Sequence, residues 1–206
     1  MDAESIKNIV DTQRKFFSTG VTIPVKNRIE KLKQLHATIK KYEHEIAEAL
    51  KSDLGKSEYE SYMCEIGLVL SEITYMIKHT CKFAKERRVH TPLSQFASRS
   101  YVKPSPYGVT LIMSPWNYPF LLTLDPLVDA ISAGNTAVVK PSAYSPSTSA
   151  IIYSISYSVN IVLFSVFSNL TEGNQLVFRE KSAIVPADLQ AAVHNEILWK
   201  EIVLYE

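Results

Sequence analysis

Tyr107-Gly108-Val109-Thr110-Leu111-Ile112-Met113 and, after an intervening segment, Thr136-Ala137-Val138-Val139-Lys140 are the two stretches on which the fold turns. Each is a short continuous apolar run rich in strand formers, the pattern of strands buried on both faces of a parallel sheet rather than on one. Between them Phe120 to Ser132 reads as a helix, stopped by Gly134-Asn135. Strand, helix and strand in this order predict a βαβ unit with parallel strands and a right-handed crossover.

Upstream, apolar residues recur at three-and-four spacing and predict helices before any buried strand. Ile6, Ile9, Val10, Phe16 and Phe17 mark a first helix from Ser5 to Phe17, stopped by Ser18-Thr19-Gly20. After Pro24, Ile29, Leu32, Leu35, Ile39, Tyr42, Ile46 and Leu50 keep the spacing to Asp53-Leu54-Gly55, predicting one long amphipathic second helix. Ser57, three residues before Glu60, has capping-box spacing and opens a third helix running to Phe83. Lys85 to Ser105 reads as a loop with an edge-type extended piece at Ser100-Tyr101-Val102. Downstream, Ile151 to Leu170 is charge-free and matches neither period cleanly. Its serines and asparagines dilute the hydropathy, so a buried helix or strand is favoured over a membrane span. Asp188 to Tyr205 again looks helical.

The bulk numbers exclude several function classes. The 206 residues are 46% apolar, enough to bury a core, and 22 basic against 21 acidic residues leave a formal charge of +1. No global field therefore favours nucleic acid or an anionic membrane. Acids at Asp2 and Glu4 argue against a signal peptide, so a cytoplasmic location is expected. Cys64 and Cys81 both fall on the third helix at a spacing that turns them to different faces. They are expected to be reduced, buried or half-buried structural thiols. His36 and His44 lie two turns apart on one helix, but no carboxylate or cysteine completes a ligand set, and no metal site is expected.

In a parallel sheet, ligands bind beyond the carboxyl ends of the strands. The loops starting at Ser114 and Lys140 occupy that position on adjoining strands, so their side chains can converge. Trp116 offers a flat apolar surface, and Asn117 an amide that can donate to a developing oxyanion without proton bookkeeping. Lys140 is a cation suited to ribose hydroxyls or a phosphate. Spacing alone leaves the plainer alternative open: Trp116 in the core, Asn117 in a turn and Lys140 at a solvated strand end.

Pro106-Tyr107-Gly108-Val109, Ser114-Pro115-Trp116-Asn117-Tyr118-Pro119-Phe120 and Ala133-Gly134-Asn135-Thr136-Ala137-Val138-Val139-Lys140-Pro141-Ser142 together resemble the aldehyde dehydrogenase superfamily. Tyr59 to Glu65 and Glu72-Ile73-Thr74-Tyr75-Met76 resemble its class 3 branch. The resemblance covers residues 1–150, and residues 151–206 read as a divergent tail. It implies an α/β fold: N-terminal helices, then part of a doubly wound, Rossmann-like parallel sheet of the NAD(P)-binding domain.

The resemblance also implies oxidation of an aldehyde to a carboxylic acid with NAD or NADP as cofactor. A cysteine thiolate attacks the aldehyde, hydride passes to NAD(P)+, and a glutamate activates water to hydrolyse the thioester. Asn117 is then the oxyanion donor; Ser114, Pro115 and Trp116 lie along the cofactor; Lys140 and Ser142 hold the adenosine ribose. Many members place Glu after Lys-Pro-Ser, where this chain has Ala143, leaving NADP+ as open as NAD+.

After Ala150 no Glu-Leu-Gly-Gly block carries the base and no Gly-Gln-x-Cys block carries the nucleophile. Glu172, Glu180, Glu196 and Glu201 match no family context and read as surface charges. The chain is therefore expected to be inactive alone, with the tail either a truncation or frameshift product or a genuine new ending. The other reading is a non-catalytic binding or assembly module that associates with itself or with a full-length relative. An open sheet edge would support that reading and would also favour aggregation.

Overall fold

The computed structural model describes residues 3–159 and 164–166. Helix α1 (Ala3–Ser18) ends in a turn at Gly20, whose φ of 73° lies in the left-handed region. Helices α2 (Val25–Lys41) and α3 (Glu43–Leu54) follow, and Ser57 caps the short α4 (Glu58–Ser61) by accepting from the Glu60 amide at 3.2 Å. A π-helical turn over Tyr62–Ile66 joins α4 to α5 (Gly67–Phe83).

The single long second helix expected from the periodicity is broken at Tyr42, where φ is −100° and ψ 17°. No glycine or proline stands there. The break is dictated by packing: α2 lies chiefly on α5 and on the later helix α6 (Leu121–Ala133), whereas α3 lies chiefly on α4 and on α7 (Pro146–Ser158). Apolar spacing survives a change of direction when both pieces bury their stripes, so the sequence pattern conceals it.

The loop expected over 85–105 contains two strands, β1 (Arg87–Val89) and β2 (Ser100–Val102), paired antiparallel with Arg88 opposite Tyr101. The βαβ unit follows: β3 (Val109–Met113), α6 (Leu121–Ala133) and β4 (Thr136–Lys140), with the strands parallel and Leu111 opposite Val138. Helix α7 (Pro146–Ser158) then leads to β5 (Phe164–Val166), giving a parallel sheet in the order β3-β4-β5. The charge-free run from Ile151 thus begins as the body of α7 and continues into β5. Its periodicity is weak because Ser154, Tyr157 and Ser158, not charges, form the outer face while Ser156 is buried. Among the described residues no helix is long and apolar enough to cross a membrane. The helix expected over Asp188 to Tyr205 and the four glutamates from Glu172 lie outside the described residues.

The sheet divides two cores. Ile112, Ala137 and Val139 join Leu124, Leu127 and Val128 of α6, Ile152 and Ile155 of α7, and the inner faces of α2, α3 and α5. Val138, on the opposite face of β4, meets Ile9 of α1 with Val109 and Leu111 beside it. β4 is buried along Thr136 to Val139, as the sequence suggests, but only Ile112 is buried in β3. Each fully buried Leu or Phe, such as Leu124 or Phe120, contributes roughly 1.5–3 kcal/mol.

Candidate active site at the strand ends

The backbone brings the two expected loops together. Beyond the last β3–β4 pair, Met113 opposite Lys140, the Ser114 amide donates to the Lys140 carbonyl at 3.1 Å. The parallel ladder is thereby prolonged to the point where both chains leave the sheet. The Thr123 hydroxyl bridges Ser114 Oγ (2.6 Å) and the Pro119 carbonyl (2.5 Å), tying both ends of the first loop to α6.

Between those ties Pro115, Trp116, Asn117 and Tyr118 are exposed, while Pro119 and Phe120 are buried. Trp116, 56% exposed, is not a core residue, so its indole is available as a platform. The Asn117 side chain makes no hydrogen bond among the described residues, but its carbonyl accepts from Lys56 Nζ at 3.1 Å. Lys56 also stands 4.1 Å from the centre of the Tyr118 ring. Its main partner is Glu65, whose Oε1 lies 2.5 Å from Nζ. The other oxygen, Oε2, accepts from the Phe120 amide at 2.8 Å and the Leu121 amide at 3.1 Å. A fully buried carboxylate therefore caps the start of α6, where orphan amides and the helix dipole favour negative charge. One ion pair fixes the loop from both sides.

The second loop is built on the same plan. Lys140 is half-buried and has no ion-pair partner among the described residues. Pro141 and Ser142 are buried and Ala143 is exposed. Ser142 Oγ accepts from the Tyr144 amide at 3.2 Å, leaving its own proton to donate. Its carbonyl accepts from the Ser149 hydroxyl at 3.0 Å. Asp53 on α3 caps α7 by accepting from the Ser147 amide (3.1 Å) and the Thr148 amide (2.7 Å). No acid lies in either loop, so the strand ends carry the positive charge of Lys140.

Cys64 and Cys81 lie elsewhere. Cys64 is half-buried in the π-helical turn, as expected of a structural thiol. Cys81 is exposed near the end of α5, contrary to expectation, because the α5 face that packs on α2 and α6 is the one carrying Val69, Ile73 and Thr80. No group of three or more potential metal ligands occurs among the described residues. The shifted carboxyls cluster between α5 and α6. Burial raises Asp125 above the ordinary carboxylate range; burial and then Asp125 raise Asp129; burial and then both aspartates raise Glu72.

Sequence reasoning missed Lys56, Glu65 and Asp53. Only Glu65 carried a signal: it stands on the apolar stripe with Tyr62, Val69 and Ile73, where a carboxylate must find partners.

The chain matches the aldehyde dehydrogenase family over residues 1–178. It is 43% identical over 141 residues to a canine (Canis lupus familiaris) aldehyde dehydrogenase described as dimeric and NADP-preferring, covering 68% of this chain and 31% of that one. It is 39% identical over 145 residues to the Arabidopsis thaliana aldehyde dehydrogenase family 3 member H1, covering 70% and 30% respectively. In structure it resembles the substrate-bound state of Staphylococcus aureus AldH, with a TM-score of 0.77 and 39% identity over 82% of this chain and 37% of that one. The chain thus spans under a third of the length of these curated relatives. Parallel strands with both loops joined at their carboxyl ends, carried on family 3-like helices, agree with that match along most of the sequence, and the chain belongs to the aldehyde dehydrogenase family.

Proposed function

We propose that the strand-end loops hold the NAD(P)+ of an aldehyde oxidation and that this chain supplies binding and orientation without the nucleophile. The observation that carries this reading is the Ser114–Lys140 backbone bond, which starts at one point of the sheet the loop that carries the exposed Trp116 and Asn117 and the loop that carries Lys140. The residues present suit a dinucleotide. Lys140 can donate to ribose hydroxyls or a phosphate, and Ser142 retains a hydroxyl proton to donate beside it. Ser114, Pro115 and Trp116 lie along the cofactor, Trp116 offering its ring face.

When bound, NAD(P)+ supplies the hydride acceptor. Asn117 donates its amide to the oxygen of the aldehyde as negative charge develops there, a contribution of roughly 3 kcal/mol for one such donor. Lys56 holds the Asn117 carbonyl, so the donor's backbone is fixed before substrate arrives. Ala143 places no carboxylate after Ser142, which leaves room for a 2′-phosphate as well as for a free hydroxyl. The NADP preference in the canine relative's name is in keeping with that. Neither Cys64 nor Cys81 stands on these loops, so the chain alone is expected to turn over no aldehyde.

Isothermal titration with NAD+ and separately with NADP+ tests the reading. Saturable binding that is lost in Lys140→Ala supports it. Absence of heat from a chain shown by circular dichroism to be folded sinks it. The second reading, an assembly module, is favoured by one observation: among the described residues β3 pairs on one side only, with β4. Concentration-dependent association without dinucleotide binding would select it.

A further inference from the structure

A groove of about 530 Å³ runs between α2 and α5, within the size range of small-molecule sites, and none of its lining residues belongs to the strand-end loops. A smaller cavity of about 180 Å³ shares His36, Thr74 and Lys78 with it and adds Lys33. Helical spacing explains the lining. On α2, Lys33, His36 and Lys40 recur at three and four residues and form one stripe; on α5, Ser71, Thr74 and Lys78 do the same. The two stripes face each other because α2 and α5 pack together.

The charge of this groove is one-sided. Neither lining contains an aspartate or glutamate, and Lys33, Lys40 and Lys78 form no ion pair among the described residues. No carboxylate in either lining neutralises these three ammonium groups, and a bound anion would do so. His79 adds a fixed group. Its ring stacks on Tyr75 at 4.1 Å between centroids and on Phe83 at 6.0 Å. Its Nδ1 lies 2.8 Å from the Tyr75 carbonyl, which can only accept, so the ring is held with Nδ1 protonated. A side chain held this way loses little entropy on binding.

We propose that the α2–α5 groove binds a small molecule bearing two or more phosphate groups. Lysine is a point-charge phosphate binder. From Lys33 to Lys40 the cationic stripe extends roughly 10 Å along the helix, more than one phosphate can span. Ser71 and Tyr62 add hydroxyls to the same lining. The mixture of distributed cations and hydroxyls suits several tetrahedral anions better than one planar carboxylate.

Titration of the full chain with inorganic pyrophosphate at low ionic strength tests this. The expected result is saturable binding, weakened about tenfold or more in Lys40→Ala/Lys78→Ala and unchanged in Lys7→Ala/Lys15→Ala. All these positions are on or near the surface, so the variants are expected to fold. Three results would overturn the proposal. They are no saturable binding, an equal loss in Lys140→Ala, which would put the anion at the strand ends, and an equal loss in Lys7→Ala/Lys15→Ala on the exposed face of α1, which would reduce the effect to general charge.

Discussion

Lys56 Nζ lies 2.5 Å from Glu65 Oε1 where Glu65 is fully buried, and between them the two side chains hold four groups of the loop and helix that follow β3. Removing one partner of a buried pair leaves a desolvated charge, so Glu65→Ala should cost about 3–5 kcal/mol. Lys56→Met/Glu65→Gln should recover most of that loss, because an amide oxygen can still cap Phe120 and Leu121 with no charge left to pair. Urea unfolding of the three chains measures this. A double variant no more stable than Glu65→Ala would show that the cost does not come from an unpaired buried charge.

Asp53→Ala should cost about 0.5–2 kcal/mol, the usual range for losing a helix cap, here at the start of α7. Asp53→Asn should retain part of it, since one oxygen still accepts. Hydrogen exchange at the Ser147 and Thr148 amides should speed up in Asp53→Ala more than in Asp53→Asn, and equal rates in both would refute the cap.

Gly134 ends α6 with φ of 90°, and a Cβ there would stand 2.6 Å from Arg28 Cζ. The guanidinium cannot swing aside freely, because Arg28 donates to the Thr22, Ile23 and Ser132 carbonyls. Gly134→Ala should therefore cost more than the roughly 1–2 kcal/mol of left-handed strain alone. Gly55→Ala, at φ of 69° with nothing within 4 Å of the added carbon, should cost the strain only. Melting temperatures that fall equally would contradict the steric part.

Asp125, Asp129 and Glu72 are raised chiefly by burial, and Asp129 and Glu72 further by neighbouring carboxylates. The folded chain then holds these protons more tightly than the unfolded chain. Stability from this cluster is present at low pH and is lost as pH rises through and above the ordinary carboxylate range. Asp129→Asn should raise the urea midpoint in neutral buffer and flatten its dependence on pH across that range. A midpoint unchanged at neutral pH would refute a cost of ionising Asp129 in the folded chain.

The central architecture was legible because it rests on local chemistry. Val138 and Val139 in an unbroken apolar run announce a buried strand, Gly134 announces a helix end, and Ser57 before Glu60 announces a helix start. The convergence of Ser114 and Lys140 followed from the rule that parallel strands put their following loops on one side. What was not legible depends on partners distant in sequence. The bend at Tyr42 has no local breaker, and Asp53 looks like any helix-end acid until the amides of Ser147 and Thr148 arrive beside it. Arg28 reads as a surface cation on α2, yet it is buried against carbonyls on both sides of the chain. Whether Trp116 is a surface platform or a core residue was left open by spacing, and its exposure decides for the platform.

The two acid caps also bear on the order of assembly. The amides that start α6 wait for a carboxylate 55 positions earlier, and those that start α7 for one 94 positions earlier. Such long separations slow folding when the whole chain must search for them at once. During synthesis the search is one-sided, because both acids leave the ribosome first, on helices that can form from their own local contacts. The N-terminal helices then act as a template on which each strand-to-helix turn is received as it emerges, and a chain begun at α5 would have to make those turns without it.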